Sequence, residues 1–251
     1  MSVDRERRVT EAFVSLTNSL VDDFDLVELL SGLTTDCARL LNIESAGLLL
    51  ADSSGVLHVL AASSERTRDL ELFQVQRAEG PCLDCFRTGR SVSAPDLARA
   101  SDRWPQFAPR ATGAGFASVQ ALPLRLQDSV LGALGLFGTS IGPLADDDVS
   151  LAQALAHVAC VAIVQHTVAT DRAAVAAQLQ TALDSRVVLE QAKGIVSQVG
   201  DLDMDQAFGA LRRYARDGNH RLTDVARGVV HRRLAAADVL GDRRPEGRPT
   251  T

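Results

Sequence analysis

Leu26, Leu29, Leu30, Leu33, Cys37, Leu40 and Leu41 recur three and four residues apart, a spacing that gathers them on one face of a helix ending near Asn42. The pattern then shortens. Ala46 to Ala51 and Val56 to Ala62 are brief apolar runs separated by Asp52-Ser-Ser-Gly55, which predicts a β-hairpin. A helical stretch over Glu65 to Gln76 follows, and then a segment from Glu79 to Gly115 rich in Gly, Pro and charge. Short helices at Pro81 to Thr88 and Trp104 to Thr112 are expected within this loop-rich cover. Ser118 to Leu126 and Val130 to Gly138, joined through Gln127-Asp128-Ser129, predict a second hairpin. The succession implies an α+β domain, an antiparallel sheet flanked by helices.

After Pro143 the character changes. Ala145-Asp146-Asp147-Asp148 places acids where a helix N-terminus favours them, and no Pro follows until the tail. One long helix, or two with a break, is predicted from Asp147 to Val199. Its alanine-dense part suits a connecting helix, and Val175, Leu179 and Ala182 keep a four-then-three spacing that hints at a coiled-coil dimer. Gly200 ends this helix. Asp203 with Gln206 reads as a capping box for the next, whose buried stripe is Ala207, Phe208, Leu211 and Ala215 and whose stop is Gly218. Leu222, Val225, Ala226, Val229, Val230 and Leu234 signal a third. The expected organisation is the α+β domain over 1–165, a connecting helix over 166–182, a three-helix all-α module over 179–235, and a disordered tail over 241–251.

At 251 residues the chain has room for two domains. No apolar run reaches a bilayer-spanning length and the first residues are charged, so a cytoplasmic protein without membrane contact is expected. The net charge of -6 argues against indiscriminate coating of nucleic acid. Charge is divided unevenly: Asp184 to Leu234 carries nine Lys and Arg against seven Asp and Glu, the rest 17 against 25. That permits a polyanion-binding module at the C-terminal end.

Projected on a wheel, Val188, Leu189, Ala192, Ile195, Val196 and Val199 form an apolar arc, opposed by Arg186, Glu190, Lys193 and Ser197. The two cations are expected to face water or a phosphate. Leu183-x-Ser-Arg186, Gln191-Ala-Lys-Gly-Ile195, Ala207-Phe208, Leu211-Arg212, Ala215, Asn219, Leu222 and Asp224-Val225-Ala226 stand in the order and spacing of the ANTAR pattern. The module resembles that family across its length, departing at Val196-Ser197, where Leu-Met is frequent. The resemblance implies RNA binding, to paired hairpins in a nascent transcript, and transcription antitermination. Arg186, Lys193, Arg212, Arg213, Arg216 and Arg227 are the candidate phosphate contacts, and Tyr214 and Asn219 the candidate contacts to unstacked bases.

Glu79-Gly-Pro-Cys-Leu-Asp84, Arg87-Thr-Gly-Arg90, Asp96-Leu97, Trp104-Pro105, Gly115-x-x-Ser118-Val119, Leu122-Pro123-Leu124 and Leu131-Gly132 resemble the GAF domains that precede ANTAR in actinobacterial regulators. The resemblance implies a sensory fold holding a small ligand, whose identity it does not carry, and dimerisation. Cys82, Cys85, Phe86, Trp104, Phe107 and Phe116 are the candidate ligand pocket, against the plain alternative that they are core. Cys82-x-x-Cys85 at a helix start also suggests lowered thiol pKa values and a redox signal. The histidines do not cluster as metal ligands, and the cofactor stays unknown. Gly138-Thr-Ser140-Ile-Gly142 matches a nucleophile-elbow pattern, but that elbow belongs to a parallel sheet, so no catalytic residue is expected. The leading expectation is a signal-responsive, dimeric antiterminator, not an enzyme. A sensor acting through a protein partner docked on the C-terminal helices, or a DNA-binding helix-turn-helix regulator, remains open.

Overall fold

Both predicted hairpins form, and they join side by side. The computed structural model of the chain describes residues 3–21, 25–52, 54–127, 129–165, 172–218 and 220–241. The chain divides into two units, 1–183 and 184–251, which are described separately.

In the first unit β1 (Ser45–Ala51) pairs with β2 (Leu57–Ala62), and β4 (Ser118–Leu126) with β5 (Ser129–Gly138), all antiparallel. β1 also pairs with β5, and the short strand β3 (Val92–Ala94) with β4, giving the order β2-β1-β5-β4-β3. Asp52 shapes the first turn: its Oδ1 accepts from the Ser54 and Val56 amides, and Gly55 takes a φ of 82°. In the second turn Gln127 takes a φ of 51°, while Asp128 lies outside the described residues.

β1 is buried along its whole length, as expected of a central strand covered on both faces. Leu49, Val59, Val119 and Phe137 point into a cluster with Trp104, Phe107 and Phe116. The alternate residues, among them Leu48, Leu60, Leu122 and Leu134, are equally buried and face the other way. Helix α2 (Leu26–Leu40) packs on β1 and β2, and α6 (Asp146–Gln165) on β4 and on α2. The first face is covered by α3 (Glu65–Arg77), α4 (Pro81–Thr88), a 3-10 turn at Leu97–Arg99 and α5 (Phe107–Gly113). α1 (Val3–Val21), which the charged start concealed, buries Ala12 and Leu16 and packs against α2, with Arg5 paired to Asp148.

Two glycines prepare the site. Gly47 on β1 stands opposite Gly135 on β5, and a Cβ on either would collide with the Glu71 side chain of α3, at 2.8 and 2.5 Å.

The predicted run after Pro143 is two described helices, α6 and α7 (Arg172–Gly200), with 166–171 outside the described residues. The side chains of Val175, Leu179 and Ala182 also lie outside them. In the second unit α8 (Met204–Asp217) begins with the predicted capping box, Asp203 Oδ1 accepting from the Gln206 amide at 2.7 Å and Gln206 Oε1 from the Asp203 amide at 3.2 Å. α9 (Leu222–Val230) stops short of Leu234 because the chain turns at Arg232, φ 56°, and lays Leu234 beside Gly228. A further short helix, α10 (Ala236–Leu240), packs on α8.

Candidate functional site

The cationic stripe of α7 turns inward. Arg186 and Lys193 are buried, Lys193 at 2% exposure, which overturns the expectation that they face water. The reason lies between them: Glu190 accepts from Arg186 Nη2 at 2.7 Å and from Lys193 Nζ at 3.2 Å, so the two cations share one carboxylate. Lys193 Nζ also sits 5.6 Å from the centre of the Phe208 ring on α8, an orientation that offsets part of its lost hydration. The buried stripe therefore runs through Arg186, Leu189, Lys193 and Val196, and is rotated away from Val199, which is 56% exposed. The Gln-Ala-Lys-Gly block joins α7 to α8; it is not a free cationic surface.

The cations that do reach solvent lie on α8. Arg213 and Arg216 are exposed, turned away from the buried stripe of Ala207, Ala210, Leu211 and Ala215. Arg212 is half-buried, 5.8 Å from the Phe208 ring, and Arg227 on α9 is half-buried with Asp224 Oδ1 at 3.8 Å. Tyr214 faces His220, ring centres 6.5 Å apart. Asn219 lies outside the described residues. Arg221, Arg232 and Arg233, outside the candidate set, are exposed too.

In the first unit five of the six predicted pocket residues, Cys82, Cys85, Trp104, Phe107 and Phe116, are fully buried in a single packed cluster, with Phe86 half-buried against it. Trp104 meets Phe107 edge-on at 6.0 Å, and Phe116 meets Phe137 at 5.2 Å. These side chains fill the space they were expected to line. The cover is tied down as well: Glu79 Oε1 accepts from the Gln106 and Phe107 amides at 2.7 and 2.8 Å, and Asp84 Oδ2 from Trp104 Nε1 at 3.1 Å. A cleft of about 220 Å³ opens elsewhere, beside Glu44, Ser93, Ser118, Gln120 and Ser140, and none of the six lines it.

The thiols also differ from expectation. Burial pushes Cys85 up to about 12 and Cys82 well above the usual thiol range, the latter aided by Glu71. Loss of hydration outweighs the helix N-terminus, and both cysteines are free thiols. What the sequence did not disclose is Glu71 itself. It lies fully buried in the Gly47–Gly135 slot, accepting from Gln74 Nε2 at 2.7 Å and from the Cys82 thiol at 3.4 Å. Gln74 Oε1 in turn accepts the Cys82 amide at 3.0 Å. Burial raises the Glu71 carboxyl from 4.5 to about 8, so at neutral pH it is mostly the uncharged acid. The buried stripe of α3 is Thr67, Leu70, Glu71 and Gln74, mostly polar, and hydrophobic periodicity cannot register it.

Residues 25–164, more than half of the sequence, match the GAF domain family. The chain belongs to the GAF domain family. Residues 177–230 match the ANTAR domain, and together the two matches give the GAF–ANTAR architecture. The GAF domain of an Acinetobacter phosphoenolpyruvate-protein phosphotransferase is similar over 68% of this chain and 99% of that one, at 13% identity and a TM-score of 0.51. The GAF domain of the corresponding protein of Coxiella burnetii covers 62% and 93%, at 14% identity and 0.49. The phycoerythrobilin-bound GAF domain of a cyanobacterial phytochrome covers 66% and 97%, at 17% identity and 0.48. No curated protein matches the chain.

A GAF domain is a sensor fold and an ANTAR domain an RNA-binding one, so the architecture is that of a signal-responsive regulator. The five-stranded antiparallel sheet with its helices is the GAF fold, and α7 to α9 carry the ANTAR match. Ser140 of the GAF domain sits in the connection 139–145 between the antiparallel strand β5 and α6, its carbonyl accepting from Ser118 Oγ, whereas a nucleophile elbow is a sharp turn from a strand directly into a helix. No helix among the described residues is long and apolar enough to cross a membrane.

Proposed function

We propose that this chain is a cytoplasmic, signal-responsive transcription antiterminator that binds paired hairpins in nascent RNA and keeps a terminator from forming. The reading rests on the ANTAR match over 177–230 together with the exposed Arg213 and Arg216 of α8. Guanidinium groups suit backbone phosphates, and hairpin loops offer unstacked bases beside them. The sensory part is residues 1–165, the connecting helix 166–182 and the RNA-binding part 179–235, with 241–251 a tail. The protein acts as a homodimer with no catalytic step, and a small molecule at the GAF domain shifts how the RNA-binding parts are presented. That shift requires the signal to bind one arrangement more tightly than the other. The chain passes from one unit to the other within α7, which makes this helix the covalent path for coupling.

The deciding experiment measures binding of the full chain to leader transcripts carrying two hairpins ahead of a terminator, across a salt series, with run-through transcription in parallel. Salt-sensitive binding that raises run-through is the expected result. A flat binding curve at low salt overturns it. Exposed Val187 and Val199 on α7 favour a second reading, a helical docking surface for a protein partner. Under that reading, substitutions at Val187 and Val199 abolish regulation while Arg213 and Arg216 tolerate charge reversal.

A further inference from the structure

Two polar side chains of α3 are seated against three buried glycines of the GAF domain. Glu71 fills the slot between Gly47 of β1 and Gly135 of β5. Gln74, one turn on, fills a second slot, where a Cβ on Gly80 would overlap its amide. Both side chains are fully buried, and they are chained. Gln74 Nε2 donates to Glu71 Oε2 at 2.7 Å, while Gln74 Oε1 accepts the Cys82 amide in the first turn of α4. Glu79, just beyond the end of α3, accepts the Gln106 and Phe107 amides where α5 starts. A displacement of α3 is therefore passed on to α4 and α5.

The surroundings of Glu71 suit the acid and not its anion. From β1 and β5 glycine backbone faces it, and from α4 the Cys82 thiol at 3.4 Å, with Cys85 one turn further on. The charged groups of these and the neighbouring elements are engaged elsewhere. His58 of β2 turns to Asp52, Arg110 of α5 and Arg77 to the Phe73 ring, and Asp84 and Arg87 of α4 to Arg103 and the Ala78 carbonyl. On α3 itself Arg66 pairs with Glu44 and Arg68 with Glu65. An amide and a thiol, both neutral donors, do not balance a carboxylate sealed from water. Burial accordingly lifts the Glu71 carboxyl to about 8.

Once the proton has passed to bulk water, the charge is better hydrated outside the slot than held within it. We propose that Glu71 and Gln74 form a proton-operated latch, which shuts the α3, α4 and α5 cover on the GAF sheet while Glu71 is protonated and lets the cover lift when that proton is lost. Lifting uncovers the cluster of Trp104, Phe107 and Phe116 that the closed cover buries. The GAF domain thus takes proton activity as an input, whether or not the chain binds RNA. Opening gives the proton a second way to leave, so the midpoint of the change lies at or below about pH 8.

Trp104 is the single tryptophan of the chain and is buried under the cover, so it serves as the probe. Acrylamide quenching of its fluorescence is measured on the full-length protein from about pH 6 to about pH 9. In the wild-type chain quenching should rise roughly threefold or more across that range while far-UV circular dichroism stays level, the mark of a local opening. Glu71→Gln, of the same shape and without a charge, should stay protected throughout. A second reading needs no variant: the infrared carbonyl band of an un-ionised carboxyl should be present in the wild-type chain at the acid end and fade with the same midpoint as the rise in quenching.

Quenching that stays flat in the wild-type chain, or rises equally in Glu71→Gln, overturns the latch. Circular dichroism lost together with protection of Trp104 also overturns it, because the charge then unfolds the domain instead of lifting its cover. Where Glu71→Gln fails to fold, the two wild-type midpoints decide: coincidence supports the latch, and a carbonyl band that fades at a different pH overturns it.

Discussion

Two carboxylates, one in each unit, are kept in opposite ways: Glu190 is half-buried and Glu71 fully buried. Glu190 sits between Arg186 and Lys193, its charge balanced by cations on its own helix. Glu71 has an amide and a thiol for neighbours, and it escapes the cost of a buried charge by holding its proton. The first arrangement compensates charge with charge along α7 and leaves Lys193 against the Phe208 ring of α8. The second makes the GAF core responsive to protons, because the uncharged state lasts only while the medium supplies them.

The largest effect expected from this contrast is a pH dependence confined to the first unit. The folded state keeps the Glu71 proton up to about pH 8, whereas the unfolded chain releases it near 4.5. The folded form thus binds more protons between those values, and its stability falls as pH rises through that window, then levels off. A displacement of this size corresponds to roughly 5 kcal/mol. Denaturant unfolding of the wild-type protein and Glu71→Gln across that range checks this: the variant should flatten the slope and be the more stable above pH 8. Parallel slopes would break the contrast.

Next in size is Glu190→Ala, which strands two buried cations and should cost about 3–5 kcal/mol. The helical unit should melt early while the GAF transition stays in place, readable as a split calorimetric trace. Smaller again is the effect of Arg213→Glu or Arg216→Glu. Neither guanidinium is buried, so folding should be unchanged, while RNA affinity drops by roughly 1 kcal/mol or more and the salt slope falls by about one. The same reversal at Lys193 should instead cost stability, separating the cation that holds the fold from the cations that meet the ligand. The smallest effect is Gly194→Ala. A Cβ there meets nothing within 4 Å, and the helix should gain up to about 1 kcal/mol in melting experiments. Lost RNA affinity with intact stability would mean that RNA approaches the backbone at Gly194.

The hairpins, the capping box and the three-helix module were legible because each rests on local chemistry: alternation, a turn, a side chain reaching its own backbone. The sites were harder to read. A wheel that sorts residues into apolar and polar turns Arg186 and Lys193 outward, and only the pairing with Glu190 and the ring of Phe208 explains why they face inward. The same rule makes Cys82, Trp104 and Phe107 look like the lining of a cavity when they are its filling. Glu71 escaped notice because its surroundings come from β1, β5 and α4, far away in sequence. Charged α1 and brief α10 and β3 gave too little pattern to stand out.

The facing glycines 47 and 135 have a consequence for heredity. Because each leaves room for the same carboxylate, none of these three positions can drift by itself: a larger residue at either glycine evicts the Glu71 side chain, and a smaller residue at 71 leaves a void above both. Across descendants of this sequence the three should change as a set or not at all. A lineage that has lost the acid should also show side chains where the strands are now bare.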